Sequence, residues 1–445
     1  MLVQFTVENF LSFKEPATLS MLASKRRSKD KGLDEGAVFD AAPDLKLLKC
    51  AAVYGANGSG KSNLFAALKF MKRFVIDSSK ESQAEDAIKV EPFKLDLESE
   101  TQPSRFEVIF VADSHIYQYE FSADAVEIKE EKLTRKGFKS SREVVLFSRS
   151  DNEIDLDAKK FAEGDGLQKK TRKNALFLSV CANFNGEISK CVIGWFRRLR
   201  IISGLSDAGY LEFTTEKLKD SAWKSKIQAL IKDFDLGIDG LESGAVEEYP
   251  EIVIDADAPA EIRELAAAMR KVKVGPVNRI NSIHKMLDDQ GKLIKEVSFD
   301  LSRDESEGTK KLVALSGPLI DTLDSSYVLM IDEFDARLHP IISRNIVRLF
   351  NSGSVNGKNA QLLVATHDTN LLDRDLLRRD QIWFVERDYY GASHLTSLVE
   401  YKVRNDASYE KDYIVGKYGA VPIVGDIRRI FGAVRSPAKK EGCEA

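Results

Sequence analysis

The sequence predicts an α/β fold: a parallel sheet bearing a phosphate-binding loop, an antiparallel β-subdomain beside it, and a largely helical insertion. Three observations predict it. First, Gly55-Ala56-Asn57-Gly58-Ser59-Gly60-Lys61-Ser62 spells G-x-x-x-x-G-K-S between an apolar run of strand type, Cys50–Tyr54, and a stretch of helical spacing over residues 63–74 (Leu64, Phe65, Leu68, Met71). Second, residues 328–331 and 362–365 are apolar without alternation, as in strands covered on both faces of a parallel sheet. Third, residues 106–111 and 117–121 alternate apolar and polar, the mark of half-buried antiparallel strands.

Taken in order, the chain opens with an alternating strand pattern, Met1-Leu2-Val3-Gln4-Phe5-Thr6-Val7, and continues through a basic loop at 25–31 to the glycine-rich octet. Strand-type alternation dominates from about 90 to 160. Helical periodicity follows, for example over 223–234 and 260–271, broken by the turn-rich Glu242-Ser243-Gly244. Strand-like segments return near 277, and the remainder reads as α/β. The expected division is therefore 1–160 and 276–445 as two parts of one phosphate-binding core, split by a mainly helical insertion at 161–275.

With 445 residues, 43% apolar and 31% charged, the composition is that of a water-soluble globular protein with room for a large core. A net charge of −4 argues against coating nucleic acid by bulk electrostatics. Cys50, Cys181, Cys191 and Cys443 are too few and too scattered for a disulfide framework or a metal site of familiar spacing, which fits reduced thiols in a cytoplasmic protein. No apolar run reaches the roughly 20 residues of a membrane span, and the N-terminus is strand-like and not a signal peptide.

The octet has a physical reading at each position. Its glycines let successive backbone N–H groups turn inward around phosphates, Lys61 reaches the β- and γ-phosphates, and Ser62 can place its hydroxyl on Mg²⁺. The following helix start adds the positive end of its dipole. In the second half, Val328-Leu329-Met330-Ile331-Asp332-Glu333 is a buried-strand run ending in two acids. Asp332 suits the metal, and Glu333 suits orientation of an attacking water. The strand at 361–365 leads through Thr366 to His367, which can donate to a γ-phosphate from a strand end. Glu305-Ser306-Glu307-Gly308-Thr309 opens a helix expected over 310–323, whose first N–H groups are free for an anion.

These four elements, in this order, resemble the ATPase heads of the ABC superfamily. More narrowly they resemble the branch that includes structural-maintenance-of-chromosomes (SMC), RecF and OLD-type proteins, and within it the bacterial AAA-15/AAA-21 group of anti-phage and abortive-infection ATPases. Phe5-Thr6-Val7-Glu8-Asn9-Phe10-Leu11-Ser12-Phe13, the loop with its flanks, Ile331-Asp332-Glu333-Phe334-Asp335-Ala336-Arg337-Leu338-His339-Pro340 and residues 413–423 carry the resemblance. It implies an ABC-type ATPase head that binds ATP and Mg²⁺. Gly55, Asn57, Gly58, Gly60, Lys61, Ser62 and Asn63 would hold the nucleotide, and Ser62 and Asp332 the metal. Glu333, His367 and Lys61 would serve hydrolysis. Ser306 and Gly308 stand where the family has its signature Ser-Gly-Gly-Gln, with the first Gly and the Gln replaced, and Asp335 stands at the D-loop.

The resemblance further implies that each ATP is sandwiched between two heads, so the chain should at least dimerise. About 240 residues separate Ser62 from Ser306 without a sustained heptad repeat, so a long coiled-coil arm is not expected. About 45 residues follow Leu398, too few for a TOPRIM-type nuclease, so an effector of that kind would be a separate protein. The expected function is a sensor or scaffold ATPase of an anti-phage system, controlling such an effector. The alternative is a repair or recombination ATPase of the RecF kind that binds DNA directly. A third reading, nucleotide as a structural switch without turnover, is disfavoured by the presence of Glu333 and His367. Basic clusters at 169–173, 197–200 and 25–31, with Phe177, Trp195 and Phe196 as possible base-stacking residues, would serve the DNA-binding alternative. With a net charge of −4 the favoured reading of these clusters is a solvated surface or a turn; if one of them does bind DNA, 169–173 is the cluster expected to do so.

Overall fold

A computed structural model describes residues 1–25, 31–81, 83, 85–140, 142–248, 274–404 and 407–422. The chain lays down β1 (Leu2–Glu8), β2 (Ala17–Ser20), a ribbon of β3 (Val38–Ala42) and β4 (Leu45–Leu48), then β5 (Cys50–Tyr54). Next come β6 (Ser104–Ala112), β7 (His115–Ala123), β8 (Ile128–Gly137), β9 (Val144–Ser150) and β10 (Glu153–Leu156). The second half adds β11 (Leu199–Ser203), β12 (Gly240–Glu248), β13 (Val274–Leu287) and β14 (Leu293–Asp300). It closes with β15 (Val328–Asp332), β16 (Gln361–Ala365), β17 (Ile382–Arg387) and β18 (Ser393–Ser397).

Two large sheets result. One is antiparallel, in the order β10-β9-β8-β7-β6-β1-β2. The other runs β11-β15-β16-β5-β17-β18 and is parallel except for its last pair. The expected parallel sheet with an antiparallel β-subdomain is thus present. Helices at Lys61–Asp77, Ser221–Asp233 and Glu307–Ser325 fall where the apolar periodicity places them.

Alternation along the parallel strands explains why the central runs are apolar throughout. Ala51, Val53, Met330, Leu363 and Ala365 face one core, shared with the helix Lys61–Asp77 and the antiparallel sheet. Ala52, Tyr54, Leu329, Ile331, Leu362 and Val364 face a second core, shared with the helices Glu307–Ser325 and Pro340–Asn351. Each fully buried aliphatic side chain contributes roughly 1.5–3 kcal/mol. The two sheets are also tied by one amide: Gln361 accepts from the Leu2 N–H at 2.6 Å and donates to the carbonyls of Leu2 and Leu48 at 2.9 and 3.1 Å.

Two expectations need correction. The segment 161–275 does hold helices, at Phe177–Asn183, Glu187–Arg198, Ala208–Lys217 and Ser221–Asp233, but β11 lies among them and pairs in parallel with β15. Part of the expected insertion is therefore a strand of the core sheet. An edge strand has one neighbour and tolerates charge, so Arg200 pairs with Asp321 at 3.3 Å while Leu199 is buried. The turn-rich Glu242-Ser243-Gly244 lies inside β12, opposite Asn281, Ile280 and Arg279 of β13, where ladder pairing overrides local turn preference. The helix expected at 260–271, most of the basic loop at 25–31, and Ile423 lie outside the described residues. Among the described residues, no helix is long and apolar enough to cross a membrane.

Candidate functional site

Adjacent registers bring the motifs to one edge. Ile331 lies beside Val364, and Val364 beside Ala52, so β15, β16 and β5 end together. Their C-terminal ends lead into Asp332 and Glu333, Thr366 and His367, and the glycine-rich loop. In parallel α/β sheets this is the edge where ligands bind.

The loop is built so that only glycine fits at two positions. Gly60 has φ 110° and begins the helix Lys61–Asp77. A Cβ there would lie 2.7 Å from Ser12 Oγ and 2.9 Å from Ser393 Cβ. A Cβ at Gly55 would lie 2.5 Å from the Val385 carbonyl. Beneath the loop, Ser393 Oγ donates to the Ser59 carbonyl at 2.6 Å and bonds Ser12 Oγ at 2.7 Å, while Asn63 donates to Ser12 Oγ at 2.7 Å. The loop is therefore braced by the N-terminal segment and by β18. Ser12 sits in a motif that the sequence made visible. Ser393 carried no signal, because only the fold brings it near. Gly60→Ala is expected to lose ~2 kcal/mol or more of stability from left-handed strain and overlap, together with most nucleotide affinity. Thermal melting and nucleotide titration check both.

Lys61 folds back on the loop, donating to the carbonyls of Gly55 and Ala56 at 2.8 and 3.1 Å. Burial lowers its pKa, and Asp332, Asp335 and Glu333 act in the opposite sense. Burial likewise lowers the pKa of His367, helped by Lys61 and opposed by Asp335, Glu333 and Asp332. These mutual influences place the lysine, the acids and the histidine in one electrostatic neighbourhood. Asp335 organises its far side, accepting from Thr366 Oγ1 at 2.6 Å and from the His367 N–H at 3.1 Å.

Asp332 Oδ1 is buried and has no hydrogen-bond partner. A buried carboxylate oxygen without a donor suits a cation, and Ser62 is exposed on the first turn of the loop helix. The residues present thus fit a Mg²⁺ held by one carboxylate, one hydroxyl and phosphate oxygens. No group of three or more His, Cys, Asp or Glu side chains able to hold a metal occurs among the described residues.

Ser306 caps the helix Glu307–Ser325, its Oγ accepting from the Thr309 N–H at 3.2 Å. A Cβ at Gly308 would lie 2.9 Å from the Arg337 carbonyl, so this helix start is packed against the turn after Asp335. Sequence reading missed the group beneath it: Lys311, fully buried, together with Gly204 and Arg337.

The proposed stacking residues require a correction. Phe177, Trp195 and Phe196 are buried, and Trp195 stacks on Phe110 at 4.2 Å between ring centroids. Their size and apolarity serve the core, which leaves them unable to reach a base. In the cluster at 169–173, Arg172 donates to the Ser78 carbonyl at 3.2 Å, and Lys170 lies 6.0 Å from the Phe184 ring centroid.

A glycine-rich loop at the edge of a parallel core sheet, with two acids and a histidine on the neighbouring strand ends and an antiparallel β-subdomain alongside, is the fold of an ABC-type ATPase head. The profile of the family described as "AAA domain, putative AbiEii toxin, Type IV TA system" matches residues 50–373, and the chain belongs to that family. No curated protein sequence matches it significantly. Among solved structures, the SMC head domain from Thermotoga maritima is 15% identical with a TM-score of 0.39, over 89% of this chain and 98% of that one. The SMC head bound to the C-terminal winged-helix domain of ScpA is 13% identical with a TM-score of 0.41, over 89% and 97%. A Pyrococcus furiosus SMC head with an extended coiled coil, bound to the C-terminal domain of ScpA, is 12% identical with a TM-score of 0.34, over 94% and 98%.

Proposed function

We propose that this chain is a Mg²⁺-dependent ATPase that works through ATP-driven pairing of heads, as the sensor or scaffold of an anti-phage system controlling a separate toxic effector of TOPRIM-nuclease type. The observation that carries the ATPase reading is the gathering of Lys61, Asp332, Glu333 and His367 at one sheet edge, with a buried Asp332 oxygen lacking a donor. Bound Mg²⁺ supplies charge neutralisation at the phosphates. In this reading Lys61 leaves the two loop carbonyls for the phosphates, and Glu333 accepts the proton of the attacking water. His367, held by Asp335, donates to the γ-phosphate. Burial and Lys61 lower its pKa, which favours the neutral ring, and a neutral imidazole keeps one N–H to donate.

Pairing of heads follows from chemistry at the helix start of Glu307–Ser325. That start offers backbone N–H groups to an anion, and γ-phosphate shared across an interface favours the closed pair only while ATP persists. Loss of the γ-phosphate removes the difference in contacts and releases it. The defence role is supported by the family's description as a putative toxin of a toxin–antitoxin system. The DNA-binding alternative is weakened by burial of the aromatic residues it would use and by pairing of Arg200 with Asp321.

The test is ATP turnover by the purified protein with and without duplex DNA, with mass read by light scattering. Expected are turnover unaffected by DNA and a mass that rises with ATP. Turnover that climbs steeply with DNA transfers the chain to the repair class.

A further inference from the structure

The charged group that lies deepest beside the site is Lys311, on the second turn of the helix Glu307–Ser325. A lysine is placed at zero exposure only where its ammonium is well satisfied. Here Nζ donates to the carbonyls of Gly204 at 3.1 Å, Phe334 at 3.1 Å and Ala336 at 2.5 Å, with the Glu333 carbonyl at 3.5 Å. Three of these carbonyls belong to the turn that carries Glu333 and Asp335. The fourth follows β11. One side chain thus holds together the start of the signature-position helix, the turn after β15 and the end of β11.

The surrounding geometry tightens the same joint. Glu333 adopts a left-handed backbone with φ 51°, as does Arg337 with φ 62°. The Gly204 N–H donates to the Asp332 carbonyl at 2.6 Å, and a Cβ on Gly204 would overlap the Glu333 carbonyl. Arg337 closes the outer side: it pairs with Asp207 at 2.9 Å and Glu307 at 3.0 Å and donates to the carbonyls of Gly204 and Leu205 at 3.2 and 3.3 Å. Burial lowers the Lys311 pKa to about 8, offset by Asp207, Asp335 and Glu333 and reinforced by Arg337. The ammonium form, with three N–H donors for this set of carbonyls, still predominates at neutral pH.

We propose that Lys311 is a positioning residue which, with Arg337, ties the helix start at Ser306–Thr309 to the turn that aims Glu333, so that engagement of that helix start by a second head is transmitted to the catalytic carboxylate. The proposal rests on the reading above, with Glu333 as the hydrolytic base and a second head engaging the helix start. Lys311 touches neither nucleotide nor water in this scheme. A shift of about 1 Å in a reacting group costs about a hundredfold in rate, so a loosened turn lowers turnover without weakening nucleotide binding.

The experiment compares Lys311→Met, Arg337→Ala, Glu333→Gln and wild type for MgATP affinity, kcat, KM and melting temperature. Lys311→Met keeps most of the unbranched stem in the buried path and removes the ammonium, and Arg337→Ala removes a surface side chain, so the latter decides if the former does not fold. Expected for Lys311→Met is a kcat lower by about tenfold or more, with MgATP affinity within about twofold of wild type, and a smaller fall for Arg337→Ala in the same sense. Wild-type kcat in both variants, beside an inactive Glu333→Gln, overturns the tether and leaves the ATPase reading standing. Affinity and melting temperature falling in step with kcat also overturn it, because that is the signature of plain destabilisation. Full turnover in Glu333→Gln removes the reading on which the proposal rests.

Discussion

Lys61→Ala is expected to abolish MgATP binding while leaving the fold intact. Among the described residues, Lys61 is the buried cation at the proposed nucleotide site, and its ammonium is positioned 2.8 Å from the Gly55 carbonyl and 3.1 Å from that of Ala56. With ATP bound, these neutral acceptors would be exchanged for phosphate oxygens. Hydrogen bonds to charged groups contribute about 1.5–3 kcal/mol each, so losing two of them weakens affinity by about two orders of magnitude or more. The repulsion left behind adds to this, because Asp332, Glu333 and Asp335 then face the phosphates without Lys61 between. Folding loses little. The lysine is held buried at a desolvation cost, and alanine is a good helix former at the first position of Lys61–Asp77. Calorimetric titration with MgATP, beside a melting curve, checks both halves. Retained affinity within a few fold of wild type would show that the loop does not bind phosphate as argued.

The sequence made the parallel core legible because its signals are local. Non-alternating apolar runs at β5, β15 and β16, punctuation by Gly-x-x-x-x-Gly-Lys-Ser, and Asp332-Glu333 at a strand end all follow from neighbours along the chain. The strands β6 and β7 were equally plain, since one face of each is buried and alternation shows it. What stayed hidden depends on distant segments. β11 reads as a basic cluster because an edge strand carries arginines as easily as a loop does. The brace of Ser12, Asn63 and Ser393 joins positions 381 residues apart, and serine has no periodicity to betray it. Lys311 was concealed by its own chemistry. A lysine in a helix is most often on the solvated face, and only the convergence of four carbonyls from two other segments makes this one internal. The aromatics at 177, 195 and 196 misled in the opposite direction: proximity to basic residues in sequence suggested a surface, whereas packing made them core.

Glu333→Gln separates binding from chemistry more sharply than any other substitution. The amide has the size of the carboxylate and tolerates the same left-handed backbone at φ 51°, so no packing or strain changes with it. What disappears is the group proposed to accept a proton from water. General-base contributions of about 10²–10⁴ in rate set the expected fall in kcat. Nucleotide binding moves the other way, because one negative charge fewer faces the γ-phosphate. On the proposed cycle the closed pair of heads opens only when that phosphate is lost, so it should then persist, and a slow hydrolysis step raises its share of the population. Light scattering with MgATP is expected to show the larger species accumulating in Glu333→Gln and decaying in wild type on the timescale of turnover. The same variant carrying Lys61→Ala should show neither, because without bound nucleotide there is nothing for the second head to grip. Wild-type turnover in Glu333→Gln would assign the base elsewhere. Lost turnover without a larger species would keep Glu333 as the base and remove pairing of heads from the cycle.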